Sequence, residues 1–515
     1  MGGRCNVRWC VGESGGEGGG LVEREGMKRW IFLMLMVGMV RVAGMPPNVL
    51  FLVADDLNDW VGVLGGHRQV KTPHLDGLGA RGVVFTNAHC QAPLCNPSRT
   101  SVLLGLRPSR TGIHGLAPGV RKVAEWRDRV SLPQAFRRAG YATYSCGKVW
   151  HDGALGAEEM AAEFERTGPA PGMPRPGRRL SGYPSKLAAM DWGVYPASDD
   201  ENADGKIAAA ACEALRTADA GRPFFVACGF RLPHVPCYAP QRWFDLYPDE
   251  GLVMPEVRED DRMDTPAFSW LLHWKLPEPR LVSLRRHGEW RPLVRAYLAS
   301  VSAMDAMVGR VLAALEATGR AENTVVVFWS DHGWHLGEKG ITGKNSLWER
   351  STRVPLLVAG PGVVSGGRCR EAVELLDLFP TLTDLCGIGA VEGLDGMSLR
   401  AQLEDPGVAR ERPALTTHNQ GNHSVRDRRW RYIRYADGSE ELYDLEKDPN
   451  EWENLAGRAE YAGRKRALAE WLPKVDVPCV PGSAHRILRR PGGVGLWEWE
   501  GKPVDPAQAV PGMDD

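Results

Sequence analysis

The chain has 515 residues, of which 43% are hydrophobic and 25% charged. This is the composition of a folded globular protein and excludes wholesale disorder. The 63 basic and 64 acidic residues leave a formal net charge of −1, so there is no global basic footprint and nucleic acid is not expected as a partner. The length predicts one large domain and one smaller domain.

The first 44 residues differ from the rest of the chain. Residues 1–26 contain the low-complexity run GESGGEGGG, and Met27 then opens MKRWIFLMLMVGMVRVAG. Two basic residues, a short apolar stretch and small residues follow one another there, as in a secretory signal. We therefore predict a signal peptide with Met27 as the true start, an exported (periplasmic or secreted) protein, and no stable membrane span after signal removal. The alternative interpretation is a buried first helix.

Four apolar runs predict buried strands, each followed by polar residues: Asn48–Ala54, Tyr141–Cys146, Pro223–Cys228 and Thr324–Trp329. Continuous apolar runs are typical of strands that are covered on both faces. Helical spacing over Val294–Ala317 predicts a helix between the strands. Together these patterns predict an α/β fold with a large mixed, mostly parallel sheet flanked by helices. Ligands of such sheets bind at the carboxyl ends of the strands, which is where the polar residues stand.

From about Pro413 the pattern changes to short strands joined by turns. Three runs predict a small antiparallel sheet: Ala414–Thr417, Trp430–Tyr435 and Glu441–Asp444. A helix is expected near Ala459–Leu472, and the tail from Pro481 is expected to wrap the surface. These features predict a large domain over residues 45–412 and a C-terminal antiparallel α+β subdomain with its tail over 413–515.

One motif carries chemistry, the run Leu94-Cys95-Asn96-Pro97-Ser98-Arg99. Pro97 and Ser98 suit the first turn of a helix. Cys95 then lies at the helix N-terminus, where backbone N–H groups favour anions, and Arg99 lies four residues on and can reach back to a charged group there. Taken alone, Cys95 would most often be a small buried hydrophobic residue.

C-x-P-S-R is also the sulfatase signature, in which the cysteine is oxidised after synthesis to formylglycine. The chain resembles sulfatases of the alkaline phosphatase superfamily from about Pro47 to Leu472, and within them the iduronate 2-sulfatase-like group. Further segments match in the family's order: Asp55-Asp56, GKVWH at 147–151, Pro233-His234, SDHGWHLGEKGITGK at 330–344 and ELYDLEKDPNEWENLA at 441–456. The resemblance implies an alkaline phosphatase-like fold, with the sulfatase domain over 45–412.

The resemblance also implies the site and its chemistry. It implies Ca²⁺ as the metal, held by these residues: Asp55, Asp56, Cys95 in its modified form, Asp331 and His332. The catalytic residues that it implies are the following: Cys95, Arg99, Lys148, His151, His234 and Lys344. One hydroxyl of the hydrated formyl group attacks sulfur and the other later expels sulfate. Arg99 and Lys148 supply positive charge and His151 orients these hydroxyls, while either His234 or Lys344 protonates the leaving oxygen.

The implied protein is a sulfuric ester hydrolase that acts on a sulfated carbohydrate and is matured by a formylglycine-generating or sulfatase-maturing enzyme. Two alternatives remain open: a phosphate or phosphonate ester hydrolase of the same superfamily, and a non-catalytic glycan-binding pseudo-sulfatase. The stretches 154–191 and 254–291 have little motif content and are expected to shape the substrate pocket. The run RDRRWRYIR at 426–434 fits an anionic glycan contact or, preferably, a solvated strand face with Trp430 and Tyr432 buried.

The eleven cysteines leave disulfide pairing open, and no C-x-x-C pair indicates a structural zinc site.

Overall fold

The protein is described by a computed structural model over residues 45–273, 276–493 and 495–504. The predicted low-complexity segment and signal peptide, residues 1–44, lie outside the described residues. From Pro46 onward the chain forms one compact unit. The nine described cysteines are all free thiols.

The central element is strand β1 (Asn48–Asp55), whose eight residues are all buried. Its side chains alternate between two apolar cores. Leu50 and Leu52 enter the core on one face of the sheet, and Val49 and Phe51 enter the core on the other. This two-sided burial explains why the sequence of β1 reads as a continuous apolar run rather than an alternating one.

Seven further strands complete the main sheet: β2 (Gly82–Phe85), β3 (Ala142–Gly147), β4 (Arg166–Thr167), β5 (Phe224–Pro233), β6 (Thr324–Ser330), β7 (Leu356–Ala359) and β8 (Gly367–Cys369). Their spatial order is β8-β2-β7-β6-β1-β5-β3-β4. Within this sheet only β7 runs antiparallel to its neighbours. The prediction of a large mixed, mostly parallel sheet is confirmed.

Helices cover both faces of this sheet. The α-helices of the described part are α1 (Pro73–Ala80), α2 (Cys95–Leu104), α3 (Pro108–Thr111), α4 (Leu132–Arg138), α5 (Ala157–Glu163), α6 (Ala203–Arg216), α7 (Gln241–Phe244), α8 (Leu281–Arg286), α9 (Trp290–Ala317), α10 (Glu349–Thr352), α11 (Leu378–Leu385), α12 (Arg400–Glu404) and α13 (Ala462–Ala469). Helices α1, α6 and α9 supply the core that contains Leu50, whereas α2, α4 and α11 supply the core that contains Phe51. The result is a three-layer α/β/α arrangement.

Helix α9 begins at Trp290, four residues before the predicted start, and ends at Ala317 as predicted. It is the one helix of the described residues with the length and mean hydropathy, 1.5, of a membrane span. Most of that helix is buried against the sheet and its neighbouring helices.

The C-terminal part holds a four-stranded antiparallel sheet of β9 (Ala414–Thr417), β10 (His423–Arg426), β11 (Trp430–Arg434) and β12 (Glu440–Asp444). Strand β10 was absent from the prediction because its sequence, HSVR, carries one apolar residue and no alternation. The predicted helix near Ala459–Leu472 is a 3₁₀ turn at Ala459–Tyr461 followed by α13.

The tail does more than wrap the surface, because it forms a further antiparallel sheet of β13 (Leu488–Arg489), β14 (Trp497–Trp499) and β15 (Lys502–Val504). Leu488, Trp499 and Val504 pack with Trp348 and Tyr443 into one apolar cluster. Shorter strands pair elsewhere: Ala88–His89 with Arg353–Val354 and Val373–Glu374, His335–Leu336 with Thr342–Gly343, and Trp192–Val194 with Cys237–Ala239.

Gly229 on β5 allows two strand ends to approach closely. A Cβ atom there would lie 2.1 Å from the carbonyl oxygen of Lys148 and 2.7 Å from the amide nitrogen of Val149. Gly229→Ala is therefore expected to lower the free energy of unfolding by about 1–3 kcal/mol, because the backbone after β3 must shift. Gly77→Ala, in open space on α1, is the control and is expected to raise that free energy by up to about 1 kcal/mol. Chemical denaturation measures both, and equal effects would contradict the predicted close contact.

Candidate active site

The carboxyl ends of β1 and β6 bring two pairs of polar residues together. The strands are parallel neighbours, with Ala54 opposite Ser330, so the residues that follow them emerge at the same edge of the sheet. The backbone N–H of Asp56 donates to Oδ1 of Asp331 at 3.1 Å. Asp56 has a φ of 64°, in the left-handed region where aspartate is one of the tolerated residues.

Helix α2 presents Cys95 to this edge. The residue before it, Leu94, is extended, and no side chain caps the helix. The buried Cys95 Sγ atom lies 3.2 Å from Nζ of Lys344 and 3.3 Å from Nε2 of His332. One turn later, the hydroxyl of Ser98 donates to the backbone carbonyl of Asp331 at 2.5 Å, which ties the helix start to the end of β6.

Arg99 is fully buried and is held by both strand ends. Its Nε donates to Oδ2 of Asp331 at 2.8 Å, and its Nη2 donates to Oδ1 of Asp55 at 3.3 Å. Its Nη1 donates to the carbonyls of Lys148 and Val149. Arg99 therefore pairs with the charged groups at this edge of the sheet and joins the ends of β1, β3 and β6 through charge-assisted hydrogen bonds.

Two buried lysines compensate the paired aspartates. Lys148 forms an ion pair with Asp55, and Nζ of Lys344 lies 2.6 Å from Oδ1 of Asp56. Burial alone would raise the pKa of Asp55, but Lys148, His234 and Arg99 together hold it well below its ordinary value. Burial would likewise raise the pKa of the Cys95 thiol, yet Lys148 and Lys344 lower it well below the usual range. The pocket at position 95 thus favours negative charge.

Two histidines complete the site. His151 lies beside Cys95, and burial lowers the pKa of its imidazole. The Nε2 atom of His234 lies 3.7 Å from Oδ2 of Asp56, and 31% of the His234 side chain is exposed. His234 therefore stands at the outer side of the cluster, whereas Lys344 stands inside it, with 5% of its side chain exposed.

The donor set fits a cation. Asp55, Cys95, Asp331 and His332 each offer a ligand atom within 4.8 Å of the others, and Asp56, Cys95 and His234 form a second, overlapping group. Oδ2 of Asp56 is buried and has no hydrogen-bond partner among the described residues, which is costly for a carboxylate oxygen. A cluster dominated by carboxylate oxygens suits a hard divalent cation.

The structure thus brings together all the residues that the sequence singled out: Asp55, Asp56, Cys95, Arg99, Lys148, His151, His234, Asp331, His332 and Lys344. Sequence reasoning missed three contributors. Besides Ser98, the hydroxyl of Tyr297 on α9 donates to the carbonyl of Asp56 at 2.8 Å, and the ring of Trp334 lies 5.5 Å from Nζ of Lys344. Tyr297 lies on the apolar stripe of α9, where the sequence pattern indicates only a core residue. The one signal that separates it from the other core residues is its hydroxyl group, which needs a hydrogen-bond partner once it is buried.

The basic run at 426–434 is solvated only in part, because Arg428 and Arg434 are exposed whereas Arg426 is buried. Trp430 and Tyr432 are buried as predicted, but so is Arg431, which pairs with Glu349 and Glu451. Arg429 pairs with Asp444. The expectation of a solvated arginine face is therefore wrong at Arg431, because two acidic residues from α10 and the segment after β12 compensate its charge inside the protein.

A surface cleft of about 930 Å³ lies beyond the C-terminal end of α2 and is lined by residues such as Arg107, Arg412 and Trp471. The reactive cluster is at the opposite end of that helix, so this cleft does not contain the reactive residues.

Comparison with known proteins agrees with the geometry. The sulfatase family model matches residues 47–388, and the model of the C-terminal part of N-sulphoglucosamine sulphohydrolase matches residues 337–477. A sulfatase of Formosa agariphila is 38% identical over 443 residues, covering 84% of this chain and 87% of the relative. Iduronate 2-sulfatase of Mus musculus is 29% identical over 392 residues, covering 66% of this chain and 69% of that protein.

Among solved structures, a protein in complex with its substrate D-glucosamine-2-N,6-O-disulfate has a similar fold, with a TM-score of 0.66 and 22% identity over 83% of this chain and 97% of that one. The predicted fold class and the resemblance to sulfatases, iduronate 2-sulfatase among them, are confirmed. On the matched family, the close relative and the assembled cluster around Cys95, this chain belongs to the sulfatase family and is a sulfuric ester hydrolase.

Proposed function

We propose that the protein is a Ca²⁺-dependent sulfatase that releases sulfate from a sulfated carbohydrate through a formylglycine made from Cys95. The observation that carries this proposal is the position of Cys95, with its Sγ atom buried between Lys344, His332 and His151 at the edge where three aspartates converge. An ordinary structural cysteine has no need of two lysines and three carboxylates around it.

The carbohydrate part of the proposal is supported by the substrate named for a protein of similar fold, D-glucosamine-2-N,6-O-disulfate. The charge of the site supports the sulfate part, since Arg99, Lys148 and Lys344 surround a position that favours an anion.

Formylglycine would supply a hydroxyl nucleophile toward sulfur, and Ca²⁺ would supply positive charge toward the sulfate oxygens. Asp55, Asp56, Asp331 and His332, with residue 95, would hold the ion.

The residues of the chain have separate tasks around these groups. Arg99 holds the carboxylates of Asp55 and Asp331 in place, because all of its nitrogens are engaged. Lys344 supplies charge from inside the cluster, against Cys95 and Asp56. The leaving alcohol must extend toward solvent, and of the two candidate donors His234 is partly exposed whereas Lys344 is buried. We therefore propose His234 as the donor of the proton to the leaving oxygen.

Export and maturation belong to the same proposal. The segment MKRWIFLMLMVGMVRVAG supports a signal peptide and export to the periplasm or exterior. A formylglycine-generating or sulfatase-maturing enzyme is then the partner that modifies Cys95. The mature N-terminus of the exported protein is expected near Met45, and mass spectrometry of the intact exported protein would determine it.

The modification of Cys95 is directly measurable. In protein produced together with a sulfatase-maturing enzyme, the peptide that contains residue 95 is expected to have a lower mass than its encoded sequence, and sulfate release is expected to rise with the converted fraction. Cys95→Ala is expected to abolish sulfate release, while Cys90→Ala, at a buried cysteine outside the cluster, serves as the control. Full turnover by the Cys95→Ala protein would falsify the proposed nucleophile. Faster turnover of a matched phosphate ester would favour the phosphohydrolase alternative.

The metal requirement is testable by removal and return of the ion. Chelation of divalent cations is expected to abolish sulfate release, and added Ca²⁺ is expected to restore it. Asp56→Asn removes one carboxylate of the donor set and is expected to raise the Ca²⁺ concentration needed for half-maximal activity at least tenfold. Asp260→Asn, at an exposed carboxylate, is expected to keep the original requirement. Activity that survives exhaustive chelation would contradict Ca²⁺ as the cofactor.

The proton donor can be identified from leaving groups of different basicity. His234→Ala is expected to lower kcat/KM for alkyl sulfates by about 10²–10⁴-fold, and for nitrophenyl sulfate by much less, because a nitrophenolate leaves without a proton. Lys344→Ala is expected to lower kcat/KM for both esters by similar factors. The opposite pattern, with leaving-group dependence in the Lys344 variant, would make Lys344 the donor.

A further inference from the structure

The tail from residue 478 lies beyond both family matches, which end at 388 and 477. It nevertheless returns to the rim of the active site. Leu488, Trp499 and Val504 anchor its later part in an apolar cluster, and the segment before Leu488 crosses two loops that adjoin the reactive residues.

The first contact is with the loop after α3. Ala484 and Ala117 form an antiparallel bridge, and the N–H of Leu116 donates to the carbonyl of His485 at 3.3 Å. The side chain of Asn96 also binds this loop, because its Nδ2 donates to the carbonyls of Gly115 and Pro118 at 3.0 and 3.1 Å. Because Asn96 is the residue next to Cys95, the tail is separated from the nucleophile position by one loop.

The second contact is with the turn between β9 and β10. Asn419 donates from Nδ2 to the carbonyl of Arg486 at 3.1 Å and accepts at Oδ1 from the N–H of Leu488 at 3.2 Å. The preceding residue, His418, has its Nε2 atom 3.4 Å from Nδ2 of Asn345, which directly follows Lys344. The tail is thus linked to both sides of the cluster around position 95.

Arg486 reaches across the rim. Its Nη2 atom lies 3.0 Å from Oε1 and 3.3 Å from Oε2 of Glu278, whose side chain is 4% exposed. Glu278 packs directly on Gly343, where a Cβ atom would lie 2.7 Å from its Cγ, and Lys344 is the next residue. Glu278 belongs to the stretch 254–291 that the sequence indicated as a pocket-shaping loop.

The backbone of the tail is strained at this point. His485 and Arg486 have φ angles of 65° and 69°. This left-handed conformation is uncommon for residues other than glycine, asparagine, aspartate and histidine, so the strain falls on Arg486. Such strain persists where the surroundings hold it, and it often accompanies function. Here the bridge at Ala484 and the hydrogen bonds of Asn419 hold both flanks.

We propose that Arg486, positioned by Glu278, forms a subsite for an anionic substituent, a carboxylate or a second sulfate, on the sugar that carries the reacting ester. The Nε and Nη1 atoms of Arg486 make no hydrogen bond to any residue in the described ranges, and 16% of its side chain is exposed. A planar guanidinium with unengaged N–H groups suits a carboxylate or sulfate. This subsite rests on the proposed action on sulfated carbohydrates.

The test compares Arg486→Ala with the unsubstituted protein on three sulfate esters: nitrophenyl sulfate, a singly sulfated neutral sugar, and a sulfated sugar that also carries a carboxylate or second sulfate. The expected result is a fall in kcat/KM for the acidic sugar that exceeds the fall for the other two esters at least tenfold, chiefly through KM. Arg486→Lys, which keeps the charge but not the planar fork, is expected to lie between. Arg489→Ala, at an exposed arginine that pairs with Glu498 on the tail sheet, is the control and is expected to change none of the three.

Equal losses on all three esters, or no loss on any, would overturn the subsite. If Arg486→Ala fails to fold, as the loss of a cooperative melting transition would show, Glu278→Gln is the second variant. It keeps the guanidinium and an acceptor oxygen that positions it, and removes only the compensating negative charge. That variant is expected to raise the preference for the acidic sugar, and a lowered preference would overturn the proposal. Absence of sulfate release from every sugar by the unsubstituted protein, with nitrophenyl sulfate still turned over, contradicts the proposed carbohydrate substrate and the subsite with it.

Discussion

The active site depends on the buried ion pairs of Arg99. Its guanidinium joins Asp55 at the end of β1 to Asp331 after β6, and it also binds the backbone that follows β3. A buried charge that loses its partner costs about 3–5 kcal/mol, so none of these groups can move independently. The aspartates are therefore held at fixed positions before any cation or substrate arrives, and α2 is locked to the sheet through the same residue.

In the cluster, the buried positive and negative side chains compensate one another. Lys148 and Lys344 each pair with one aspartate, and both also lower the pKa of Cys95. The same cations that allow the carboxylates to be buried therefore make position 95 attractive to a sulfate anion. The same charged side chains thus stabilise the buried site and attract the substrate anion. His234 lies at the solvent side of the cluster and Lys344 lies inside it.

Sequence patterns predicted the elements whose environment is uniform along their length. β1 and β6 are buried along their whole length, so their apolar runs identified them within one residue. β10 was not predicted because its sequence, HSVR, has one apolar residue and no alternation, although all four residues are buried. The burial of Arg431 could not be predicted either, because its partners Glu349 and Glu451 are 82 and 20 residues away in the chain.

The sequence by itself determined the chemistry, since the motif around Cys95 and the pairs Asp55-Asp56 and Asp331-His332 after two strands require no coordinates to indicate a sulfatase. It also determined the parallel sheet that brings those pairs to one edge. Tertiary structure alone decided which carboxylate pairs with which cation, which histidine faces solvent, and where the tail returns. These outcomes depend on distances between segments hundreds of residues apart, such as the contact of Arg486 with Glu278, and local patterns contain no information about such distances.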